Sequence, residues 1–398
     1  MTDKCPRRAA DVPTPPVPVA GQPRKLEDLD ALREGSDVYY DPKNKAWIFT
    51  RWDDVYPTLL DKRLSLDPRK AAPDSPSRRI VPLAEEGSMN RIDDPDHARL
   101  RRVVAKAFSA RFLDQFRPDI TQLIDELLDK TDGPFDFVAS VAKPLALRVV
   151  ACLFLGLPES MLPEFLAFLP DLSQIFNPGF PIERSLAAHE SMKKLWARVL
   201  EQRKTKPERD FISLLIDGRD EERLSESELL CMLQVTFAAG NISTAHMMGN
   251  TMALLLENPD QLEKLRQDPS LIKNAVEEAL RCEPVVFSPG RIAPDALEVR
   301  GCAVGAGETI LLNVAAAARD PKVNPDPGKF DVTRTDIRHA AFGGGVHVCI
   351  GAPMARLEIE LVVERVLRRF PKLALDSSRP SLRLPFMNAR DCLWIIPS

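Results

Sequence analysis

The 398-residue sequence lacks the features of several protein classes. Its seven cysteines are odd in number and scattered without a C-x-x-C pair, which argues against a disulfide-stapled secreted domain and against a zinc ribbon or finger. We therefore expect a reducing, cytoplasmic compartment. Neither sign of charge dominates, because 54 lysine and arginine residues accompany 58 aspartate and glutamate residues. The net charge of −4 gives no electrostatic reason to expect nucleic acid or an anionic membrane as a partner.

Long hydrophobic runs are also missing. The apolar stretch from Pro144 to Pro158 carries Arg148 and is too short to cross a bilayer. Residues 1–24 have no apolar segment typical of a signal peptide. They are rich in proline and free of aromatic residues, so we expect a disordered tail followed by a single domain over residues 25–398.

The composition is that of an ordinary globular protein, with 44% hydrophobic and 28% charged residues. Short strands are predicted at KAWIFT (45–50), as one arm of a hairpin, and at TILLNV (309–314). The predicted fold class is therefore mainly α with small β-sheets. Apolar residues recur with helical spacing in residues 119–130, 145–155, 186–204, 226–257, 259–267, 271–281 and 354–369.

The segment 226–257 predicts an unusually long helix. Ser225 and Glu228 form a capping-box pair at its start. Near its middle, AAGNIST (238–244) is small and polar where a buried helix should be bulky, and Gly240 should cost about 1 kcal/mol relative to alanine. Either another helix packs closely here, or something flat or reactive lies against this face.

The most informative segment for chemistry is AFGGGVHVCIGAPMARLE (341–358), in which Cys349 follows three glycines and precedes an amphipathic helix. Glycines allow the backbone to turn several N–H groups toward one point. A sulfur at a helix N-terminus is favoured as thiolate by these amides and by the helix dipole. A single thiolate suits one axial bond to an iron cofactor, whereas the simpler alternative is a buried structural cysteine.

This segment resembles the haem-binding loop of the cytochrome P-450 superfamily. The resemblance implies the cytochrome P-450 fold and haem b, with Cys349 as the proximal ligand of the iron. It also implies that Phe342 shields the thiolate and that His347 contacts a haem propionate. The matching positions are Phe342, Gly343, Gly345, His347, Cys349 and Gly351.

Further matches to the family occur in the same order along the chain. Glu278 and Arg281 resemble its Glu-x-x-Arg pair, and Arg334 stands where the family places the third member of this buried ion network. The resemblance assigns these three residues a structural role. His97 and Arg101, one helical turn apart, and Arg291 match residues that meet the haem propionates, since buried carboxylates require paired cations.

The resemblance identifies 226–257 as the distal helix, in which Ala239 and Gly240 leave a groove for dioxygen. The family pattern Ala-Gly-x-(acid)-Thr-Thr reads here as Ala-Gly-Asn-Ile-Ser-Thr, with Ile242 in the acid position. Isoleucine cannot relay a proton, whereas oxygen activation requires two. Ordered waters or side chains, the substrate itself, or a different reaction remain alternatives. The candidate catalytic residues are Gly240, Asn241, Ser243 and Thr244, with Ser243 expected to hydrogen-bond the bound oxygen.

Helical spacing and family position together predict an apolar substrate pocket, which suits a terpenoid, a fatty acid or an aromatic compound. In the segment that caps the pocket in the family, Arg78 and Arg79 are either surface residues or partners of a substrate carboxylate. The predicted lining residues are Val235, Ala238, Ala239, Val286, Phe287 and Phe386.

The resemblance implies a monomeric monooxygenase that uses dioxygen and receives electrons from a separate ferredoxin and ferredoxin reductase. The basic residues expected to dock the acidic ferredoxin are Arg101, Arg102, Lys106 and Arg111. The alternatives are a peroxide-driven oxygenase, a nitric oxide reductase (whose branch of the superfamily has a similar Ala-Gly-Asn) and a non-catalytic haem protein that senses a ligand.

Overall fold

The structure is a computed structural model. The predicted tail and Phe386 lie outside the residues that it describes. These are residues 26–35, 38–42, 44–172, 174, 179–217, 224–299, 301–379, 383–384 and 387–397.

The predicted fold class is confirmed, because helices form most of the described chain and the sheets are small. None of the described helices is both long enough and apolar enough to cross a membrane. The α-helices are α1 (Leu26–Gly35), α2 (Trp52–Leu60), α3 (Val81–Glu85), α4 (Asp96–Ala105), α5 (Ala110–Asp114), α6 (Arg117–Leu128), α7 (Lys143–Arg148), α8 (Leu162–Leu166), α9 (Leu169–Leu172), α10 (Ile182–Thr205), α11 (Phe211–Asp217), α12 (Glu226–Glu257), α13 (Pro259–Gln267), α14 (Ile272–Cys282), α15 (Val314–Ala317) and α16 (Ala352–Arg369).

The strands pair as three small sheets in the orders β1-β2-β7-β4, β3-β9-β8 and β5-β6. Their bounds are β1 (Val38–Asp41), β2 (Ala46–Phe49), β3 (Phe135–Asp136), β4 (Gly290–Ile292), β5 (Leu297–Val299), β6 (Cys302–Val304), β7 (Thr309–Leu312), β8 (Leu373–Leu375) and β9 (Trp394–Pro397).

The hairpin predicted around residues 45–50 is confirmed as the pair β1–β2, with Val38 opposite Phe49. Lys45, in the turn, has a φ of 50°, a left-handed conformation typical of tight turns. All four residues of β2 are buried, because β7 runs parallel to it on its other edge and pairs Ala46 with Thr309. The second predicted strand, at 309–314, is confirmed as β7, which lies between β2 and β4 and ends at Leu312, before α15 begins at Val314.

The long helix is also confirmed, as α12. Ser225 and Glu228 form the capping box in both directions, which satisfies N–H groups that the first turn leaves unpaired. Both ends of the helix are buried, over Leu229–Gln234 and Thr244–Leu256, because α7, α10, α14 and α16 pack around it. A helix surrounded by protein in this way is apolar on all sides rather than amphipathic.

A buried ion network fastens α14 to the chain that leads toward Cys349. Glu278 accepts hydrogen bonds from Arg281 Nε at 2.7 Å and from Arg334 Nε at 3.2 Å. Arg281 also donates to the carbonyl oxygens of Pro327 and Lys329. Because the side chains of Glu278 and Arg281 are fully buried, each charge depends on the other for compensation.

Replacing Glu278 by glutamine should lower the free energy of unfolding by about 3–5 kcal/mol, because it leaves the buried Arg281 cation without its counter-charge. Urea denaturation measures this loss. Asp125→Asn, which breaks the partly exposed pair of Asp125 with Arg365, should cost about 1 kcal/mol or less. Equal losses in the two variants would contradict the role of the network.

Candidate active site

The loop before Cys349 is shaped by glycines at two positions. Gly343 and Gly345 have φ values of 73° and 69°, which side-chain-bearing residues rarely adopt. A Cβ at Gly345 would also lie 3.0 Å from the carbonyl oxygen of Leu59. The loop closes with a hydrogen bond of 2.8 Å from the backbone N–H of Cys349 to the carbonyl oxygen of Phe342. This closure places Cys349 three residues before Ala352, the first residue of α16.

The sulfur of Cys349 is held at this helix N-terminus as the sequence predicts. Burial raises the pKa of the thiol, while hydrogen bonds from the backbone N–H groups of Gly351 and Ala352 and the charges of Arg101 and Arg356 oppose that rise. Burial outweighs the amides, so the expected net preference for thiolate is not reached without a cation at the sulfur. The residue is nevertheless exposed. Surrounding protein thus desolvates the sulfur although the residue is exposed, as expected where a residue lines a recess rather than an outer surface.

The residues predicted to meet propionates come together beside this loop. The rings of His97 on α4 and His347 are 4.0 Å apart, and His97 is buried. Burial, together with the charges of His97, Arg291 and Arg101, lowers the pKa of His347 to about 4. Arg101 reaches the loop directly by donating to the carbonyl oxygen of Val348 at 2.7 Å. Four groups that carry or can carry positive charge thus surround one point.

Arg291, on β4, contributes a buried guanidinium to this cluster. It donates to the carbonyl oxygens of Gly290 and Leu59, and burial lowers its pKa to about 10. The acid whose charge acts on it, Asp93, is already engaged with Lys70 at 2.7 Å. The cluster is therefore rich in cations. A buried group that brings its own carboxylates, as haem does with two propionates, fits this surplus.

The middle of α12 departs from the burial of its ends. Ala238 and Ala239 are exposed, although buried residues precede and follow them on the same helix. The hydroxyl of Ser243 donates to the carbonyl oxygen of Ala239 at 2.6 Å. Gly240 lies against Val150, since a Cβ there would be 3.0 Å from Val150 Cγ2. Close packing accounts for the glycine, and the exposed alanines leave the open face that a flat group requires.

The other residues predicted for the substrate pocket and the proton relay differ in how exposed they are. Val286 is 47% exposed, as a pocket wall would be, whereas Phe287 packs partly against Leu29 and α15. Val235 and Asn241 are half-buried, and Thr244 is buried.

The two capping arginines have structural contacts. Arg78 donates to the carbonyl oxygens of Arg69 and Ala71, within its own segment. Arg79 donates to the carbonyl oxygen of Phe180 at 2.5 Å and so ties this segment to the chain that leads into α10. Arg78 and Arg79 were predicted to be either surface residues or partners of a substrate carboxylate. These contacts with backbone carbonyl oxygens favour the first role.

Comparison with known proteins agrees with this geometry. The family model for cytochrome P450 matches residues 83–387. The chain belongs to the cytochrome P450 family. Cytochrome P450 107B1 of Saccharopolyspora erythraea is 37% identical over 86% of both chains, and 6-deoxyerythronolide B hydroxylase of the same organism is 36% identical over 88% of this chain and 86% of its own. The crystal structure of the myxobacterial cytochrome P450 CYP267B1 in complex with myristic acid has a TM-score of 0.84 and 32% identity, and the match covers 94% of this chain and 96% of that one.

Membership makes this cytochrome P450 a monooxygenase of the haem-thiolate type. The resemblance drawn from the motif around Cys349 is therefore confirmed at the level of family and enzyme class. The cytoplasmic location stays a prediction.

Sequence reasoning missed one group of residues in this P450. Glu277 on α14, His339 before the loop and Arg356 on α16 form an ion cluster beside Phe342. A signal was present, because Arg356 belongs to the same segment, 341–358, and lies in the second turn of the helix that follows Cys349. Glu277 is next to Glu278 but lies outside the Glu-x-x-Arg pair that matches the family.

If Ala239 faces an internal recess, Ala239→Leu should change the free energy of unfolding by no more than about 0.5 kcal/mol, since the larger side chain fills open space. Ala245→Leu on the same helix is the matched control. Ala245 is buried against packed neighbours, so the same enlargement there should cost about 1–3 kcal/mol. Denaturant midpoints compare the two variants, and an equal cost at both positions would show that Ala239 packs against protein.

Proposed function

We propose that this P450 holds haem b through Cys349 and oxidises a hydrophobic small molecule with dioxygen, using electrons from a separate ferredoxin and its reductase. The observation that carries the proposal is the position of the Cys349 sulfur. It belongs to an exposed residue yet is desolvated by surrounding protein, accepts two backbone hydrogen bonds at the start of α16 and lies within the influence of the Arg101 charge. A metal cation at the sulfur would favour its ionised form strongly enough to overcome the effect of burial.

The cationic cluster gives the proposed haem its orientation. Arg101 and Arg291 would neutralise the two propionates, which are otherwise costly to bury, and the rings of His97 and His347 would donate hydrogen bonds to them. Arg101 would interact with both a propionate and the sulfur ligand, because it contacts the Cys349 loop and its charge acts on the sulfur. The exposed face of α12 at Ala238 and Ala239 would border the haem.

When bound, the haem supplies the activation of dioxygen and the transfer of one oxygen atom to the substrate. The chain itself must exclude bulk water and deliver protons. The Ser243 hydroxyl donates to Ala239, so its oxygen can accept a hydrogen bond from a water molecule. Rotation away from Ala239 would free its proton for donation to a group on the open face of α12. Ile242 adds no ionisable group, so the relay we propose consists of Ser243, Asn241 and ordered water.

A hydrophobic substrate is supported by the apolar residues around the proposed pocket. Val286 presents an exposed apolar side chain, and Ala238 and Ala239 are small and exposed. One structural neighbour was crystallised with myristic acid, a fatty acid. Screening small molecules for conversion of the ferric haem from low to high spin would identify compounds that displace the distal water. The Arg78→Ala/Arg79→Ala variant tests the remaining alternative, that these arginines select acidic ligands.

The deciding experiment is the spectrum of the reduced protein with carbon monoxide. We expect the red-shifted Soret band of a sulfur-ligated haem, its loss in Cys349→Ala, and its retention in Cys152→Ala, since Cys152 is a half-buried cysteine elsewhere. A spectrum without this band, or one that survives Cys349→Ala, would overturn the proposal.

Turnover distinguishes the proposed reaction from the alternatives. Product formation with dioxygen, ferredoxin and its reductase supports the monooxygenase. Product formation with peroxide alone, or consumption of nitric oxide with NADH alone, would indicate one of the other haem-thiolate enzymes. Ligand binding without turnover in all three assays would indicate a sensor.

A further prediction concerns Ile242, which occupies the acid position of the family pattern. Ile242→Asp should raise severalfold the share of NADH electrons recovered in product rather than in hydrogen peroxide, because a carboxyl group there can relay protons. Ile242→Asn is the matched control, as it is polar and of similar size but cannot ionise. No difference between the two variants would show that Ile242 does not limit proton delivery.

The proposed partner surface lies on α4 and the residues that follow it. Arg102, Lys106 and Arg111 are exposed, and they flank Arg101, which contacts the Cys349 loop. An acidic ferredoxin bound here would approach the sulfur side of the haem. Complementary charge mainly accelerates encounter, so the reduction rate should fall as ionic strength rises.

Reversing two of these charges, in Lys106→Glu/Arg111→Glu, should raise the KM for ferredoxin about tenfold at low salt through lost electrostatic attraction. Lys206→Glu, a charge reversal at the exposed end of α10, should leave it unchanged. Stopped-flow reduction measures both. A reduction rate that is independent of ionic strength and of these substitutions would contradict docking at this surface.

A further inference from the structure

A cluster of charged side chains connects α14 to the sulfur side of the site. Arg356 of α16 donates to the two carboxylate oxygens of Glu277 at 2.5 and 2.9 Å, a bidentate geometry. The ring nitrogen Nε2 of His339 lies 3.0 Å from the same carboxylate. Hydrogen bonds and charge from Arg356 and His339 overcome the effect of burial and lower the pKa of Glu277 to about 2. The pair is therefore ionised throughout the physiological range of pH.

The Arg356 guanidinium also lies over an aromatic ring. Its central carbon is 4.6 Å from the centroid of the Phe342 ring, within the range of cation–π contacts. Phe342 accepts the backbone hydrogen bond from Cys349 at 2.8 Å. The positive charge of Arg356 also interacts electrostatically with the Cys349 sulfur. A continuous series of contacts thus runs from Glu277 through Arg356 and Phe342 to Cys349.

We propose that Arg356, held by Glu277, is a positioning residue for the sulfur ligand. The inference rests on the proposed function of Cys349. The fork from Glu277 fixes the guanidinium plane, and the guanidinium keeps the Phe342 ring in place beside the sulfur. A fixed ring limits access of water to the sulfur, and a nearby cation stabilises the negative charge on it. Groups that orient and polarise a ligand in this way control how firmly it is retained and the reduction potential of its metal.

A second ion pair on the same helix provides an internal comparison. Arg365 of α16 donates to Asp125 of α6 at 2.7 Å through each of two nitrogens. Its side chains are 25% and 39% exposed, close to the 34% and 31% of Arg356 and Glu277. Both pairs join α16 to a neighbouring helix. Only the pair at Arg356 also contacts the Cys349 loop, so a merely structural role predicts the same behaviour for the two.

The test uses the haem-loaded protein and the variants Glu277→Gln, Arg356→Gln and Asp125→Asn. After reduction and addition of carbon monoxide, loss of the sulfur-ligated Soret band is followed in mild urea. We expect loss about tenfold faster in Glu277→Gln and Arg356→Gln than in Asp125→Asn, the effect typical of removing a group that orients a metal ligand. Urea midpoints, measured on the same samples, should fall to a similar extent in all three variants.

The reduction potential gives an independent readout. Arg356→Gln removes the cation that stabilises the sulfur charge, so the potential should become more negative, whereas Asp125→Asn should leave it unchanged. Arg356→Lys retains the positive charge but lacks the planar fork. Its reduction potential should therefore stay near that of the wild type, while its sulfur-ligated Soret band should be lost faster than in the wild type. Band loss and potential in Glu277→Gln and Arg356→Gln that match Asp125→Asn would overturn the inference. Absence of the band from the wild-type protein would instead overturn the proposed function itself.

Discussion

The site depends on the electrostatics of one sulfur atom. Cys349 lies where burial disfavours its negative charge, while two backbone N–H groups, Arg101 and Arg356 favour it. Neither influence alone gives a useful ligand, because a fully solvated thiolate would be open to competing reactions and a fully buried thiol would stay protonated. The glycines at 343 and 345 allow the loop to bring these influences to one atom, since their left-handed conformations close the turn immediately before α16.

The rest of the fold keeps this loop and the distal helix in fixed positions. The network of Glu278, Arg281 and Arg334 fastens α14 to the segment at 325–334, which precedes the loop. Glu277, the next residue on α14, binds Arg356 on α16, the helix that begins at the loop. Two adjacent carboxylates therefore serve two purposes, one holding the scaffold before the loop and the other the helix after it. Packed helices also bury both ends of α12 and leave its middle open.

Family patterns and local chemistry made much of this predictable. The capping box at Ser225 fixed the start of α12, and the spacing around Cys349 was specific enough to indicate the cytochrome P450 family, which the comparisons confirm. The strands at 45–50 and 309–314 followed from their apolar patterns, but their parallel pairing as β2 and β7 joins segments more than 250 residues apart along the chain. No local pattern specifies such a pairing, because it depends on which surfaces meet after the helices have packed.

The sequence alone determined the types of residue available at the site: a single cysteine after glycines, small residues in a long helix, and arginines and histidines at separated positions. The tertiary structure decided which of them meet. It placed His97 against His347, and it engaged Arg78 and Arg79 with backbone carbonyl oxygens. It also revealed the cluster of Glu277 and Arg356. Electrostatic and stacking interactions act over a few ångströms through space, whereas all of these partners except those of Arg78 lie 79 to 250 residues apart along the chain.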